Sequence, residues 1–167
     1  MGKTEDNLKE AYAGESQAST RYIAFADRAE RDGYPQVAKL FRALSLSETI
    51  HARNHLETMD GVKSTEENLK ESIAGERMEH VHMYANFIEQ ANQEGNKRAA
   101  LTFKWARNTE MAHESMFRSV LDALKSGSEL PAINYHVCQL CGFTVEDEAP
   151  EKCPICGSVK LIFMEVD

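Results

Sequence analysis

The sequence predicts an α+β protein of two parts, a four-helix bundle over residues 1–130 and a small β-rich metal domain over residues 131–167. Three observations support this prediction: an internal repeat in the first 125 residues, helical spacing of apolar residues in four segments, and two cysteine pairs near the end. The 167 residues suffice for one sizeable hydrophobic core and a small appendage.

The internal repeat aligns residues 4–15 (TEDNLKEAYAGE) with residues 65–76 (TEENLKESIAGE), which match at nine of twelve positions with an offset of 61. Further along, the offset becomes 62 and pairs Tyr22 with Tyr84. The repeat predicts two related helical hairpins. The change of offset places one extra residue between Glu76 and Tyr84. Because helices commonly absorb such an insertion as a one-turn π-bulge, we expect a π-bulge there.

Apolar residues recur at steps of three and four along four segments, which is the period of an amphipathic helix. The four stripes contain Leu8, Ala11, Glu15, Ala18, Tyr22, Phe25 and Ala29; Val37, Leu40, Phe41, Leu44, Glu48 and His51; Leu69, Ile73, Glu76, Glu79 or His80, Met83 and Phe87; and Phe103, Ala106, Glu110, His113, Phe117, Val120 and Leu124. Turn-forming residues gather at 32–34, 60–64 and 94–96, and residues 126–131 break the helical pattern.

Each stripe is apolar except at its middle, where it carries Glu15, Glu48, Glu76 or Glu110. An unpaired buried carboxylate costs several kcal/mol or becomes protonated. Four carboxylates that meet at one level of a bundle therefore require cations. This requirement predicts a metal site in the bundle core.

Two of these glutamates are followed three residues later by a histidine, as Glu48–His51 and Glu110–His113. Residues three apart project from the same face of a helix. One glutamate from each of two helices with a Glu-x-x-His pair from each of the other two is typical of di-iron and di-manganese carboxylate proteins. The oxygen and nitrogen ligand set suits iron or manganese better than calcium, and zinc also occupies such sites.

Further titratable residues lie near these positions. Glu79 follows Glu76 by three residues on the helix with the extra residue, and it is an additional candidate ligand. Exposed or helix-end positions are expected for the other helical histidines, His55, His80 and His82, and His136 belongs to the β-rich domain without a ligand role.

Four cysteines form two short pairs, Cys138–Cys141 and Cys153–Cys156, each followed by glycine. Two such pairs predict a tetrahedral thiolate metal site and not a disulfide framework. Iron and zinc both accept this geometry, so a structural zinc ribbon remains an alternative.

The formal net charge of −8 and the absence of a Lys/Arg cluster argue against nucleic acid or an anionic membrane as a partner. No segment approaches the ~18 uninterrupted apolar residues of a membrane helix. Residues 1–8 lack the basic start and apolar stretch of a secretory signal, so we expect a cytoplasmic protein.

Taken together, the sequence resembles the rubrerythrins, which combine a ferritin-like di-iron bundle with a rubredoxin-like domain. The resemblance rests on the two Ala-Gly-Glu runs that end at Glu15 and Glu76, on both Glu-x-x-His pairs, and on the Cys-Pro-x-Cys-Gly run that begins at Cys153. It implies a carboxylate-bridged di-iron site held by Glu15, Glu48, His51, Glu76, Glu79, Glu110 and His113, with Glu48 and Glu110 bridging, and a single iron held by Cys138, Cys141, Cys153 and Cys156.

The resemblance also implies an activity, the reduction of hydrogen peroxide to water in defence against oxidative stress. Tyr22 and Tyr84 would hydrogen-bond ligand carboxylates, while Glu79 and His51 would exchange at one iron as its charge changes. Electrons would come from an external donor, a rubredoxin or an NAD(P)H-dependent reductase, and pass through the iron held by the four cysteines. A ferroxidase or iron-storage protein, a di-iron oxidase that reduces oxygen, and a structural protein with zinc in both sites remain alternatives.

The connection between the second and third helices predicts the oligomeric state. These helices run parallel in ferritin-like bundles, so their connection must span about 30 Å. Residues 60–64 reach only about 20 Å. We therefore expect a homodimer in which the first hairpin of one chain completes a bundle with the second hairpin of its partner, a domain swap.

Overall fold

The computed structural model describes residues 2–166, which divide between Lys63 and Ser64 into two compact units. The first unit is a helical hairpin. The second unit contains another helical hairpin and the cysteine-rich segment. Four bundle helices followed by a small sheet confirm the α+β class. The boundary between these compact units does not lie near residue 130. The domain boundary between residues 130 and 131 stays a prediction.

The first hairpin consists of α1 (Lys3–Arg31) and α2 (Pro35–Thr58). Pro35 opens α2, where its missing N–H leaves no helical hydrogen bond unmade. Small buried side chains, Ala26, Ala29 and Ala38, let the two helices approach closely, and Phe41 packs against them. The predicted turn at residues 32–34 is confirmed.

The second hairpin begins with α3 (Thr65–Met78), which continues through a π-turn (Glu79–Met83) into α4 (Tyr84–Gln93) and then turns back as α5 (Lys97–Ser126). Ser64 caps α3 in a capping box. In the π-turn, the N–H of Tyr84 bonds to the carbonyl of Glu79, five residues earlier. The predicted π-bulge is confirmed at the predicted place.

The repeat reappears in the packing of aromatic rings. Each hairpin holds three rings in mutual contact, and the two sets correspond at an offset of 62: Tyr22, Phe25 and Phe41; Tyr84, Phe87 and Phe103. The two phenylalanine pairs have the same centroid separation, 5.5 Å in each hairpin. The hairpins are therefore equivalent in their packing as well as in sequence.

Apolar stripe residues of both hairpins remain partly open. On α2, Val37, Leu40 and Leu44 are 41–57% exposed. Phe25 on α1 is 47% exposed, and Phe87 on α4 is 41% exposed. These side chains lie on the faces that the sequence pattern assigns to a bundle core.

The cysteine-rich segment forms a three-stranded antiparallel sheet in the order β2-β1-β3, from β1 (Tyr135–Cys138), β2 (Thr144–Glu146) and β3 (Phe163–Val166). A single 3-10 turn (Lys160–Ile162) precedes β3. The short strands bury few apolar side chains, so this module depends on its metal site for stability. Among the helices described, none is long and apolar enough to cross a membrane.

Both hairpin turns use a glycine in the left-handed region, Gly33 with φ of +81° and Gly95 with φ of +71°. The residue after each glycine donates its N–H to a buried alanine carbonyl, Tyr34 to Ala29 and Asn96 to Ala91, at 2.8 Å in both turns. This is the pattern of a glycine-ended helix.

Replacing Gly95 with alanine should therefore lower the free energy of unfolding by about 1–2 kcal/mol, because a Cβ disfavours the left-handed conformation. Chemical denaturation of the metal-free protein measures the change. Gly95→Asn is the matched control, since asparagine tolerates this conformation and should lose less. Equal losses for both variants would contradict the explanation.

Candidate metal centres

The first acidic cluster consists of Glu15 on α1 with Glu48 and His51 on α2. One donor atom from each lies within 4.8 Å of the others. His51 Nδ1 is 2.9 Å from Glu48 Oε2, as expected for residues one helical turn apart. The Glu48 side chain is 19% exposed, whereas the His51 ring is 50% exposed. The first hairpin therefore presents a three-donor set at an open face.

The second acidic cluster consists of Glu76 on α3 with Glu110 and His113 on α5. Their donor atoms also lie within 4.8 Å of one another. His113 Nδ1 is 2.8 Å from Glu110 Oε2 and 3.8 Å from Glu76 Oε1. The three side chains are 17–26% exposed. Each half of the repeat thus supplies two carboxylates and one imidazole in the same arrangement.

Crowded negative charge perturbs titration in the second acidic cluster. Burial, and then the charge of Glu110, raise the pKa of Glu76 to about 7. Burial and the charge of Glu110 also raise the pKa of Glu79. The hydrogen bond with Glu110 raises the pKa of His113. The carboxyls of Glu76 and Glu79 therefore resist ionising beside Glu110 unless a cation is present, and a bound metal ion would supply that positive charge.

The other predicted site residues of the bundle adjoin these clusters. Glu79 begins the π-turn close enough to Glu76 for its charge to help raise the Glu76 pKa, but it is outside the set of donors within 4.8 Å. Tyr84 lies nearby, and burial together with the charges of Glu79, Glu110 and Glu76 raises its pKa. Tyr22 packs in the aromatic set of the first hairpin. The ligand and catalytic roles of all these residues stay predictions.

All four cysteines converge in a third cluster, again within 4.8 Å of one another. The Cys138–Cys156 and Cys141–Cys153 sulfur pairs are each 3.6 Å apart. A tetrahedral ion with metal–sulfur bonds of about 2.3 Å separates its sulfurs by about 3.8 Å. The thiols are therefore spaced for one tetrahedral metal ion, and they form no disulfide.

The two cysteine pairs sit in matching turns. Gly142 and Gly157 have φ of +80° and +78°, and each donates its N–H to the carbonyl of the first cysteine of its pair. Burial raises the pKa of the Cys156 thiol, but hydrogen bonds from Ser158 more than offset this and lower it to about 7. A thiolate forms more readily at Cys156, as metal binding requires.

The cysteine module contacts the second acidic cluster within the same unit. His113 Nε2 lies 3.2 Å from Thr144 Oγ1, and a hydrogen bond to the Gly142 carbonyl helps to raise the His113 pKa. Buried Thr109 of α5 donates to the carbonyl of Cys141 at 3.3 Å. A candidate ligand of the bundle is thus one hydrogen bond away from the peptide that follows a cysteine of the third cluster.

Sequence reasoning missed several polar residues around the site. Thr109 and Thr144 carry no spacing signal that distinguishes them from ordinary helix and strand residues. Buried Glu114 follows His113, and its side chain contacts His80. The expectation that His80 is exposed was wrong, because its ring packs against Glu114 and is 14% exposed. His82 is exposed, as expected.

Two carboxylate–histidine donor sets on equivalent helical hairpins, together with a tetrahedral four-thiol site, define a class of protein: a helical carboxylate-bridged metalloprotein with an attached thiolate metal module. The donor chemistry fits iron in both kinds of site.

Comparisons with known proteins identify the family. The Rubrerythrin family model matches residues 6–121, and that of the rubrerythrin rubredoxin-like domain matches residues 136–163. Rubrerythrin-2 of Clostridium acetobutylicum is 35% identical, covering 94% of this chain and 93% of that protein. Nigerythrin of Nitratidesulfovibrio vulgaris is 32% identical, covering 98% of this chain and 86% of that protein. The chain belongs to the rubrerythrin family.

Solved structures agree with this assignment. Nigerythrin in its fully reduced, all-ferrous state matches with a TM-score of 0.57 and 33% identity, covering 99% of this chain and 88% of the other. The ferritin-like and rubredoxin-like parts of the predicted fold are confirmed. As a member of this family the protein is an oxidoreductase with a di-iron site and a rubredoxin-like four-cysteine iron site, and its donor clusters fit both.

The raised pKa of Glu76 predicts how pH and metal affect stability. In the metal-free protein, a carboxyl whose folded pKa is about 7 favours folding at low pH, and this contribution is lost as pH rises through about 7. Glu76→Gln should therefore raise the melting temperature of metal-free protein more at pH 8 than at pH 5, while weakening metal binding. Glu71→Gln, on the exposed face of α3, is the control and should change neither. A destabilised, metal-free Glu76→Gln protein at pH 8 would refute this account.

Proposed function

We propose that the protein is a peroxidase that reduces hydrogen peroxide to water at the di-iron site, with electrons relayed through the iron of the four-cysteine site. The observation that carries the proposal is the presence of two equivalent carboxylate–histidine clusters and a four-cysteine cluster in one chain, with Thr144 of the cysteine module 3.2 Å from His113 of the second acidic cluster. An iron-storage function needs only the carboxylate bundle. The thiolate module and its contact with His113 favour a function that requires repeated supply of electrons.

When bound, two ferrous ions can supply one electron each, which matches the two electrons needed to cleave the O–O bond of peroxide. Glu48 and Glu110 would be shared between the two ions, and Glu15 and Glu76 would complete the acidic donor set. Glu79 and His51 would be alternative donors to one ion, because a carboxylate suits the ferric charge and an imidazole suits the ferrous ion.

Tyrosine side chains next to the clusters have a supporting role in the proposal. The charges of Glu79, Glu110 and Glu76 raise the pKa of Tyr84, so its phenol stays protonated and can donate a hydrogen bond to a carboxylate. Tyr22 has the equivalent role in the first hairpin by the repeat. Holding the carboxylates by hydrogen bonds keeps their orientation while a donor exchanges.

The electron relay follows the contact between the cysteine module and α5. From Cys141 the chain continues to Gly142, whose backbone helps to raise the pKa of His113, and to Thr144, whose Oγ1 lies 3.2 Å from His113 Nε2. The other imidazole nitrogen, Nδ1, faces Glu110 and Glu76, so it is the nitrogen that would bind metal in place of its contact with Glu110. The reducing equivalents come from an external donor, a rubredoxin or an NAD(P)H-dependent reductase. The four cysteines form no disulfide, as expected in a reducing compartment such as the cytoplasm, which is the location we propose.

We further propose a domain-swapped homodimer. Beyond the end of α2, the Gly61 amide still donates a hydrogen bond to the Leu56 carbonyl, so the chain stays folded against the helix end as far as Gly61. Only residues 62–64 can extend before α3 begins. That segment reaches about 14 Å, whereas the 24 residues of α2 measure about 36 Å. The connection is too short to bring the chain back to the other end of α2, where a third helix parallel to α2 in the same bundle would have to begin.

A second copy of this chain supplies the missing half of each bundle. The partly exposed stripe residues Val37, Leu40 and Leu44 lie on the α2 face that carries Glu48, and Phe87 is similarly open on α4. A first hairpin from one copy and a second hairpin from the other would cover these side chains together. It would also bring two three-donor clusters into one di-iron site.

The peroxidase proposal predicts a preference that rapid mixing can measure. Anaerobic diferrous protein should be oxidised by one equivalent of hydrogen peroxide per iron pair and much faster than by dioxygen at equal concentration. Visible absorption follows the iron pair. Faster oxidation by dioxygen, or ferric mineral accumulating in a large hollow oligomer, would favour an oxidase or a storage protein instead.

The relay predicts a specific defect in Cys138→Ser. Oxidation of chemically pre-reduced di-iron by peroxide should remain largely intact, because no residue of the bundle changes. Steady-state turnover with an external donor should fall at least about tenfold, because electrons no longer enter through the thiolate iron. Unchanged steady-state turnover would refute the relay.

Complementation tests the domain swap. Glu48→Ala and Glu110→Ala chains should each lose the di-iron site, but their co-expression should restore it in about a quarter of all sites. In a swapped mixed dimer, one site receives both defects and the other receives none. Without a swap, every site in the mixture keeps one defect. A monomer with its iron pair bound in sedimentation would also overturn the proposal.

A further inference from the structure

Glu114 is a buried carboxylate that belongs to none of the three metal clusters. The residue is 7% exposed, and it directly follows His113 on α5. Its Oε1 accepts hydrogen bonds from Arg118 at 2.8 and 2.5 Å, and its Oε2 lies 2.5 Å from His80 Nε2. Arg77 is 3.8 Å from Oε1. Both carboxylate oxygens are therefore engaged by partners within the second hairpin.

His80 lies inside the π-turn, and α5 holds it at two atoms. Its ring contacts Glu114, and its backbone carbonyl accepts a hydrogen bond from Arg107 Nε at 2.9 Å. Arg107 and Glu114 are seven residues apart, which places them on one face of α5, about two turns from each other. These two side chains anchor the residue that follows Glu79.

Comparison of the two hairpins shows that this network accompanies the extra residue. His80 lies four residues after Glu76, as Ser19 lies four residues after the matching Glu15. Arg107 corresponds to Ser45 at the offset of 62. In the first hairpin, Ser45 Oγ donates a hydrogen bond to the Ser19 carbonyl at 2.9 Å. The backbone carbonyl at this matching position therefore accepts a side-chain hydrogen bond in both hairpins. Only the second hairpin uses a long arginine for this purpose.

The position of Glu114 differs in the same way. Its counterpart at the offset of 62 is Ala52, which is buried and has no polar side chain. The second hairpin therefore adds a carboxylate and an imidazole where the first has small residues. This difference occurs beside the π-turn, where the second hairpin departs from α-helical geometry.

A π-turn needs such support because its location in a helix decides which residues face the partner helix. If the helix accommodated its extra residue on the other side of Glu79, the Glu79 side chain would be rotated by about 100° around the helix axis. It would then no longer adjoin Glu76 and Glu110. π-Helical geometry is rare and occurs mostly as single-turn bulges inside α-helices, so contacts with neighbouring residues help to decide where the bulge lies.

We propose that His80, Glu114 and Arg107 form a brace that fixes the π-turn and so positions Glu79 beside the second acidic cluster. The three are positioning residues, since they act through Glu79 and not on substrate. The inference rests on the proposed function only for the role of Glu79 as an exchangeable donor. The brace itself is a property of the second hairpin with or without peroxide chemistry.

Hydrogen–deuterium exchange of the metal-free protein tests the brace directly. In His80→Ala, the amides of residues 79–84 should exchange about tenfold faster, as expected when a charge-assisted hydrogen bond is lost. His82→Ala is the matched control, because His82 lies on the same π-turn with an exposed ring. Unchanged exchange at residues 79–84, or an equal increase throughout α3–α5, would overturn the proposal.

A spectroscopic measurement separates positioning of Glu79 from general stability. The Mössbauer spectrum of diferric His80→Ala should shift toward that of Glu79→Gln, whereas His82→Ala should match the unmodified protein. Glu114→Gln, which keeps the side-chain volume, should shift in the same direction if His80→Ala folds poorly. Diferric spectra of both brace variants identical to the unmodified protein would overturn the proposal. Neither measurement depends on turnover, so a protein that fails to reduce peroxide can still confirm or refute the brace.

Discussion

Repulsion between carboxylates at half-buried positions is the constraint on which the rest of this structure depends. Glu76 and Glu110 approach one another so closely that burial and mutual charge raise the Glu76 pKa to about 7. Glu15 and Glu48 adopt the equivalent arrangement in the first hairpin. A chain gains nothing in stability from such positions without metal, because ionised carboxylates in a shared site oppose folding. The helices are therefore organised around the binding of cations.

The two hairpins of the repeat have equivalent donor clusters in different surroundings. Their aromatic rings, turn glycines and Glu-x-x-His pairs are equivalent. They differ where the second hairpin has one more residue, the π-turn, and the polar network of His80, Arg107 and Glu114. In the second unit, His113 also contacts the cysteine module. Equivalent donor sets are therefore supported by different neighbouring residues.

The cysteine module combines two tasks in one set of turns. Its left-handed glycines fix the sulfurs at the separations of a tetrahedral site. The turn after Cys141 also supplies the groups that face His113. One loop therefore carries a cysteine of one donor cluster and contacts a candidate ligand of another. That arrangement links the two parts of an oxidoreductase of the rubrerythrin family without a separate connecting element.

The sequence by itself determined the helices, their turns, the π-turn and every member of the three donor clusters, although it also grouped Glu79 with them, which lies outside the clusters. Periodicity, glycine placement and an insertion within a repeat are local signals, and local hydrogen bonding decides them. Glu15, Glu48 and His51 could be grouped because the repeat supplied a second copy of their spacing in Glu76, Glu110 and His113.

Only the tertiary structure decided which residues surround the donors. His80 was expected at the surface, but a carboxylate from α5, 34 residues away, contacts its ring. Thr144 and the Gly142 carbonyl meet His113 because the cysteine module folds back onto α5. Such contacts join residues that are distant along the chain, so no periodicity marks them. Their energy depends on geometry that exists only after the helices have packed.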